Sequence, residues 1–432
     1  MNAEQIVPLI HATKTKAVLY ITGGGTEVLP MLLERGGGSA TLLSARIPYA
    51  NTETVELLGG TPDKFVSEAT TRQLAMAAFQ KALTLRTGDE RVIGVACSSA
   101  LQKTPEEREG RIHYIFAALQ TNEKTVSISL EIDPKTMDWQ WHGQPIHPTA
   151  IDIRKWEEKL NALVMLNLIA EGCGLGESVH IILHGCNPSR HESTLVSSYL
   201  AGLLEGTVSR LAFEVEDGKI VRLSTAEHAF CNWKDAPYAD FILSGSFNPA
   251  HPGHFGMADY ISVLTDWENY PVDFEISIRN VDKPMLDLIS IEERLLSIAK
   301  GGNRRVWLTN APTFVEKVGV FKNPFTKFLI GYDTALRICN PKYAGDVDKV
   351  IDVFYKHNTR FVIFGREIDG VYHPGFGYDA NESEAHPEKI AGVYHEPDTD
   401  QIPGRFTVCC IAVTKPLPFR GVSSTGIRRQ PN

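Results

Sequence analysis

This chain of 432 residues is informative first for what it lacks. It has no Cys-x-x-Cys pair and no apolar run approaching the ~20 residues that span a bilayer. It also has no charged start followed by a long apolar core, and no surplus of basic residues. The seven cysteines (Cys97, Cys173, Cys186, Cys231, Cys339, Cys409 and Cys410) are scattered and odd in number, which fits reduced thiols in the cytosol rather than a disulfide framework. Cys409 and Cys410 adjoin within the apolar run 406–413 and read as strand residues pointing to opposite faces. With neither span nor leader, no membrane partner is expected and the location is expected to be cytoplasmic. A net charge of −9 argues against nucleic acid as a partner, while local clusters of Arg and Lys leave small anions open. His184, His191 and His228 lack metal-ligand spacing, and no protein-held metal site is expected.

What is present reads as two domains. The composition, 43% hydrophobic and 22% charged, is that of an ordinary globular protein, and the length exceeds that of one domain. In the first half, the apolar run 17–21 reads as a strand ending in Thr22-Gly23-Gly24-Gly25, followed by a helical stretch over 26–34. The 3.6-residue rhythm of Leu74, Ala77, Ala78, Ala82 and Leu85 predicts a helix over 67–85 capped by Ser67. Further strands are predicted at 91–96 and 126–130, and a helix from Ile153 to about Glu171 ends at Gly172 and Gly174. The alternation argues for a layered α/β domain over 1–172. The glycine turn could hold a phosphate at the following helix, or be a tight turn without a ligand. Residues 173–239 read as a connecting segment with a strand at 181–183, a helix over 193–204 and a hairpin over 210–223 turning at Asp217-Gly218.

Thr22-Gly23-Gly24, Tyr49-Ala50-Asn51, Leu57-Leu58-Gly59 and Val66-Ser67-Glu68 stand in an order that resembles the CinA C-terminal family, the nicotinamide mononucleotide amidohydrolases, over residues 5–172. Members carry a serine where this chain has Tyr20 and a lysine where it has Thr54. Their Gly-Ile-Ala-Gly-Pro stretch is replaced by Cys97-Ser98-Ser99-Ala100-Leu101. A hydrolase needs a nucleophile and a group to activate it. The resemblance therefore implies a non-catalytic relative that binds a nucleotide, holds a homo-oligomer together or regulates its neighbour. Ser98 or Ser99 is the alternative nucleophile for a retained amidohydrolase.

The second half, residues 240–432, carries the stronger chemistry. The run Phe241-Ile242-Leu243 reads as a buried strand, and 255–264 is helix-compatible. Between them lies Gly245-Ser246-Phe247-Asn248-Pro249-Ala250-His251-Pro252-Gly253-His254. Nucleotidyl transfer sends an anionic oxygen to the α-phosphate of a nucleoside triphosphate and expels pyrophosphate, so the protein must align two anions and stabilise their charge. His251 and His254, three apart on a first helical turn, can face one phosphate, and Gly253 lets the backbone approach. A metal site is the rival for two histidines, disfavoured here because no carboxylate partner is nearby. Far downstream, Ser423-Ser424-Thr425 would open a helix whose hydroxyls and amides face the β- and γ-phosphates, with Arg428 one turn on.

These two motifs match the HxGH nucleotidyltransferase superfamily, whose second motif is Ser-Ser/Thr-x-x-Arg. Phe328 to Asp333 and Phe361 to Arg366 resemble stretches of its nicotinamide or nicotinate mononucleotide adenylyltransferases. The resemblance implies a doubly wound, Rossmann-like parallel sheet with His251, His254 and Arg428 as catalytic residues. ATP would be bound by Gly245, Ser246, Phe247, Gly253, Ser423, Ser424 and Thr425, and the acceptor by Asn280, Lys283, Arg294, Gly331, Asp333 and Tyr343. Mg²⁺ would accompany ATP, held mainly by phosphates and water. Three features depart from the family: 310–323 lacks its Ser-Tyr-Thr run, 369–405 reads as an inserted loop or lid, and Asn248 stands where many members have aspartate. The expected reaction is transfer of AMP from ATP to a pyridine mononucleotide in NAD biosynthesis. The alternatives are transfer to another phosphorylated small molecule and a decayed nucleotide-binding scaffold.

Overall fold

The apolar pentad 17–21 lies inside a sheet, one strand from its edge, and is buried by packing on both of its faces. In the computed structural model, the described residues are 1–103, 110–137, 139–141, 144–145, 147–181, 183, 186–194, 198–224, 241–262, 271–321, 326–379, 394–413 and 417. They divide into two units, Met1–Ala201 with Asp282–Ser290, and Gly202–Val281 with Ile291–Asn432. Among the described residues no helix is long and apolar enough to cross a membrane.

The first unit runs α1 (Ala3–Ala12), β1 (Lys16–Thr22), α2 (Val28–Leu33), β2 (Leu42–Arg46), α3 (Asn51–Leu58), α4 (Glu68–Leu85), β3 (Val92–Ala100), β4 (His113–Gln120), β5 (Thr125–Ile132), α5 (Ala150–Gly172) and β6 (Cys186–Ser193). Its sheet has the order β2-β1-β3-β4-β5-β6, parallel between β1 and its neighbours and antiparallel from β3 onward. One face buries Ala17, Leu19, Ile21, Ile93 and Val95 against Leu160, Met165 and Ile169 of α5. On the other, α4 lies at backbone contact with β3: a Cβ on Gly94 would sit 2.2 Å from both Ala75 O and Phe79 N.

Local signals fixed two helix starts. The Ser67 side chain accepts from Thr70 N at 3.2 Å, as a cap should. Thr149 and Asp152 exchange hydrogen bonds of 3.0 and 3.3 Å across the start of α5, which therefore begins at Ala150 rather than Ile153. Strand β4 carries no signal of its own. Its polar ends look solvent-facing in sequence, yet His113 is buried against Glu157 (2.5 Å) and Gln120 accepts from the Thr125 hydroxyl (2.6 Å). Residue 182 of the strand expected at 181–183 lies outside the described residues, and the strand described in this region is β6. Strand β6 is a polar edge holding Pro188 and Arg190, residues that discourage further strand pairing and hide it from an apolar-run reading.

The second unit follows with α6 (Ser198–Glu205, entered from the first), β7 (Arg210–Glu216), β8 (Lys219–Ser224), β9 (Phe241–Ser244), α7 (Pro252–Ile261), β10 (Val272–Ser277), α8 (Leu288–Ala299), β11 (Arg304–Thr309), α9 (Phe314–Phe321), β12 (Lys327–Gly331), α10 (Tyr332–Ile338), α11 (Pro341–Ala344), α12 (Val347–Lys356), β13 (Arg360–Phe364), β14 (Arg366–Ile368), β15 (Val371–His373), β16 (Gly377–Asp379), β17 (Tyr394–His395), α13 (Gly404–Thr407) and β18 (Cys410–Val413). Six of its parallel strands stand in the order β11-β10-β9-β12-β13-β18, and the short β16 pairs parallel beyond β18. Counted along the chain from β9, this is 3-2-1-4-5-6, the doubly wound order whose reversal opens a crevice at the carboxyl ends of the first and fourth strands. A packed set of rings, Phe328, Phe354, Phe361, Phe376 and Phe406, fills the core beyond β12.

Several expectations are corrected. The segment 173–239 does more than connect: β6 closes the first sheet, and the hairpin β7–β8 joins the second by pairing antiparallel with β11. Its turn has Asp217 and Gly218 at φ 45° and 76°, the left-handed pair a two-residue hairpin needs. Helix α7 starts three residues early because Pro252 suits a first helical position, while 263–270 lie outside the described residues. The stretch 369–405 contributes β15, β16 and β17, with 380–393 outside the described residues. The run 406–413 is half helix: α13 ends at Thr407, and the strand begins at Cys410, next to fully buried Cys409.

The Gly94 contact yields a test. Gly94→Ala places a methyl against backbone that cannot yield, so it should destabilise the first unit by at least about 1–3 kcal/mol. Chemical denaturation of the variant against wild type measures this.

Candidate functional site

The site begins where β9 ends. Gly245 N donates to Glu275 O of β10 at 3.1 Å, and the chain then turns back on itself with Phe247 at φ 43°. The Phe247 ring is fully buried beneath the turn, 5.1 Å from Phe274 and edge-on to His254 at 4.8 Å. A Cβ on Gly245 would lie 2.8 Å from that ring, so the turn requires glycine there. Helix α8 braces the loop: Arg294 Nη1 donates to Ser246 O (2.8 Å), and Ser297 Oγ accepts from Ala250 N (2.8 Å) and donates to Phe247 O (3.4 Å).

His251 is the residue before α7, in extended conformation, and Pro252 supplies a first helical position that has no N–H to satisfy. The His251 backbone N–H donates to His254 Nδ1 at 3.2 Å. That bond leaves the His254 proton on Nε2 and directed away from the loop. The two imidazoles stack with centroids 3.6 Å apart and planes 26° from parallel. His251 is 7% exposed, and its Nδ1 is buried without a hydrogen-bond partner. Burial, with a smaller contribution from the Arg366 charge, pushes the His251 pKa down to about 4. Burial, His251 and Arg366 push His254 down to about 3. Both rings are therefore neutral donor–acceptor groups near pH 7, beside the open N-terminus of a ten-residue helix.

Arg366, in β14 just beyond the fifth strand, is the cation that acts on both histidines. It donates from Nη1 to Asp333 Oδ1 at 2.8 Å. Gly331 ends β12 and caps α10, where its Cβ would crowd Asp333 Oδ1 at 2.9 Å. Behind this pair, Tyr332 donates its hydroxyl to Asp398 and stacks on His373, whose Nδ1 lies 2.8 Å from the other Asp398 oxygen. Burial, then the hydrogen bond to Asp398, pushes the Tyr332 pKa up, so its hydroxyl remains a donor.

The expected residues are thus brought together unevenly. Gly245, Ser246, Phe247, His251, Gly253 and His254 form one loop and helix start, although Phe247 supports it from beneath with a buried ring. Arg294 joins this loop through Ser246, and Gly331 and Asp333 join it through Arg366. Asn280 is exposed just past β10, and exposed Lys283 belongs to segment 282–290 of the first unit. Tyr343 lies on α11 with the Lys342 ammonium over its ring. Ser423, Ser424, Thr425 and Arg428 lie outside the described residues. Arg366 and Ser297 were missed as site residues. The position of Arg366 directly after the apolar strand 360–364 is the signal that could have found it.

In the first unit, the glycine turn is closed from within. Gly23, at φ 82°, sits so close to Ser99 that a Cβ would meet its carbonyl oxygen at 2.1 Å. The Thr26 backbone N and hydroxyl both donate to Glu158 Oε1, at 2.7 and 2.6 Å. A protein carboxylate thus holds the amide that a phosphate would need. A cleft of about 380 Å³ lies alongside, lined by Gly24, Tyr49, Arg154 and Glu158 among others. Tyr20 and Thr54 are both buried. Ser98 Oγ bonds Thr71 Oγ1 and Ser99 Oγ accepts from Asn161, so neither has a base as its hydrogen-bond partner here. In the second unit, a cleft of about 380 Å³ lined by Glu214, Asp273 and Arg304 lies at the amino ends of β10 and β11, the opposite end of the sheet from the histidines.

No protein-family model matches the sequence. The chain is similar to a protein of Schizosaccharomyces pombe named "Putative nicotinamide mononucleotide adenylyltransferase", at 28% identity over 141 residues. The match covers 30% of this chain and 54% of that protein, so the chain spans about half the length of the curated relative it matches. Among solved structures, the competence/damage inducible protein CihA of Agrobacterium tumefaciens aligns with 38% of this chain and 92% of its own, at 14% identity and a TM-score of 0.28. A CinA superfamily protein of Escherichia coli aligns with 39% and 85%, at 9% identity and a TM-score of 0.26. Neither score reaches the level at which a shared fold can be argued.

The depressed histidines predict an acid sensitivity. Their unfolded value is 6.5, so at lower pH the unfolded chain binds protons that the folded site refuses. The stability they contribute is complete above pH 6.5 and is lost as the pH falls toward about 4 and then 3. Denaturation across this range should show a flatter acid limb in His254→Asn than in wild type. Arg366→Ala should move both imidazole titrations upward, read by NMR.

Proposed function

We propose that the second unit is a nucleotidyltransferase, with ATP as donor and nicotinamide or nicotinate mononucleotide as acceptor in NAD biosynthesis. The observation that carries this reading is the stacked, neutral pair His251–His254 at the start of α7, directly after the first strand of a 3-2-1-4-5-6 sheet and under the field of Arg366. In this reading the acceptor's 5′-phosphate oxygen attacks the α-phosphorus, the new P–O bond forms, and the bond to pyrophosphate breaks with its electrons leaving on the departing oxygen. His254 donates from Nε2 to a phosphate oxygen, the Gly253 amide in the first turn of α7 adds a donor, and Arg366 offsets the accumulating charge. Ser423, Ser424, Thr425 and Arg428 would close on the β- and γ-phosphates.

Among the described residues there is no group of three or more His, Cys, Asp or Glu side chains that could hold a metal ion. In this reading Mg²⁺ would accompany ATP as its counter-ion, held mainly by phosphates and water. The pyridine acceptor is supported by Gly331 and Asp333 beside Arg366, and by the name of the Schizosaccharomyces pombe relative. A different phosphorylated acceptor is the second reading, favoured by the lack of the Ser-Tyr-Thr run in 310–323. The first unit is proposed to be non-catalytic, because Tyr20 and Thr54 are buried where its relatives have reactive groups.

Pyrophosphate release from ATP over a panel of phosphorylated acceptors tests the proposal. Turnover with a pyridine mononucleotide is expected, with no ammonia released from nicotinamide mononucleotide. His254→Ala should lower kcat by about 10²–10³, the cost of removing a donor to a developing anion. An ATP complex should raise the His254 pKa from about 3, because a phosphate anion favours the imidazolium. Turnover only with another acceptor would replace the substrate assignment, and no turnover with any would remove the transferase.

A further inference from the structure

The short hairpin β14–β15 of the second unit puts two side chains with polar tips next to each other. Arg366 and His373 stand directly opposite in its antiparallel ladder, and opposed residues share a face. Both reach the start of α10: Arg366 donates to Asp333, and the His373 ring stacks on Tyr332 with centroids 4.9 Å apart. The returning strand lies against the end of β13, where a Cβ on Gly365 would stand 2.9 Å from His373 O. Both side chains are partly exposed, His373 at 26% and Arg366 at 33%, so a ligand can reach them.

One carboxylate orients the imidazole. Asp398 accepts the Tyr332 hydroxyl on Oδ1, and its Oδ2 lies 2.8 Å from His373 Nδ1. Burial favours the protonated carboxyl, but the hydrogen bonds from Tyr332 and His373 outweigh it and hold Asp398 below the usual carboxylate range. The proton between them therefore belongs on His373 Nδ1. In the neutral ring this leaves a lone pair on Nε2, and among the described residues no hydrogen bond reaches that atom. His254 has the opposite tautomer, with Nδ1 accepting and the proton on Nε2. Around Arg366 the crevice thus offers donors suited to a phosphate and one acceptor suited to a group that carries hydrogen. A phosphate joined to hydroxyls within one small molecule matches both. We propose that His373 is a specificity residue of the crevice, accepting at Nε2 a hydrogen bond from a hydroxyl of a sugar phosphate whose phosphate is held by Arg366. Asp398 and Tyr332 are positioning residues, which act through the His373 ring and touch no ligand. Calling this ligand the acceptor rests on the transferase reading, whereas its binding does not.

Calorimetric titration of the full chain tests it with two probes, ribose 5-phosphate and tetrahydrofurfuryl phosphate, the same skeleton without ring hydroxyls. Wild type should bind ribose 5-phosphate about three- to tenfold more tightly, the worth of one hydrogen bond. His373→Phe keeps a ring against Tyr332 but removes the acceptor, and should bind the two probes equally. Arg366→Gln should weaken both probes by the same factor and keep the preference. Asp398→Asn turns an amide N–H toward one of its two donors. It should reduce the preference and move the His373 proton from Nδ1 to Nε2, read by imidazole NMR, a shift that a merely structural role would not produce. Equal binding of the probes by wild type, binding of neither, or a preference that survives His373→Phe would overturn the proposal. Should His373→Phe fail to fold, His373→Leu gives the same comparison. A chain with the preference but no turnover of a pyridine mononucleotide keeps the sugar-phosphate site and loses the transferase. Turnover without the preference keeps the transferase and removes His373.

Discussion

The site in the second unit depends on one buried ring. Phe247 occupies left-handed backbone space, which costs a bulky residue about 1–3 kcal/mol. Complete burial against Phe274 and His254 contributes about 1.5–3 kcal/mol and offsets that cost. With the ring in place, Gly245 must lack a side chain, the chain must reverse, and Ala250 reaches Ser297. His251 then arrives at the start of α7 with its backbone N–H aimed at His254 Nδ1. The tautomer of one catalytic candidate thus follows from where a phenylalanine packs.

Electrostatics at the crevice follow from the same burial. An isolated pair of histidines beside an arginine would share charge near neutrality, but desolvation removes it from both rings. What remains is the Arg366 cation, partly balanced by Asp333, and Arg294 on Ser246, together with uncharged donors and the helix terminus. Such a site discriminates by geometry and adds charge only when an anion enters. A protein of net charge −9 can in this way hold a locally cationic crevice without a basic surface.

The first unit answers its own glycine turn. Glu158 supplies the anion at Thr26, Ser99 forces Gly23 to be glycine, and Tyr20 is buried in β1. Each of these is a contact made within the unit.

Much of the architecture was legible because it rests on local rules. Strand β1, the Ser67 cap, the Asp217–Gly218 turn and the strand–loop–helix around His251 each follow from residue type and spacing. The mostly parallel second sheet was what the resemblance of residues 240–432 to the nucleotidyltransferase superfamily implied. Strands β4 and β6 were illegible, since their polar residues are satisfied by partners distant in sequence or left on an exposed edge. For the same reason Lys283 could not be assigned from its neighbours: segment 282–290 is claimed by α4 and β5 of the first unit. The sequence by itself determined which residues could make a phosphate loop, because glycine, proline and histidine impose backbone and donor properties wherever they stand. Only the tertiary structure decided that Arg366 would face the histidines and that Glu158 would fill the other glycine turn, because burial and through-space charge depend on which strands become neighbours.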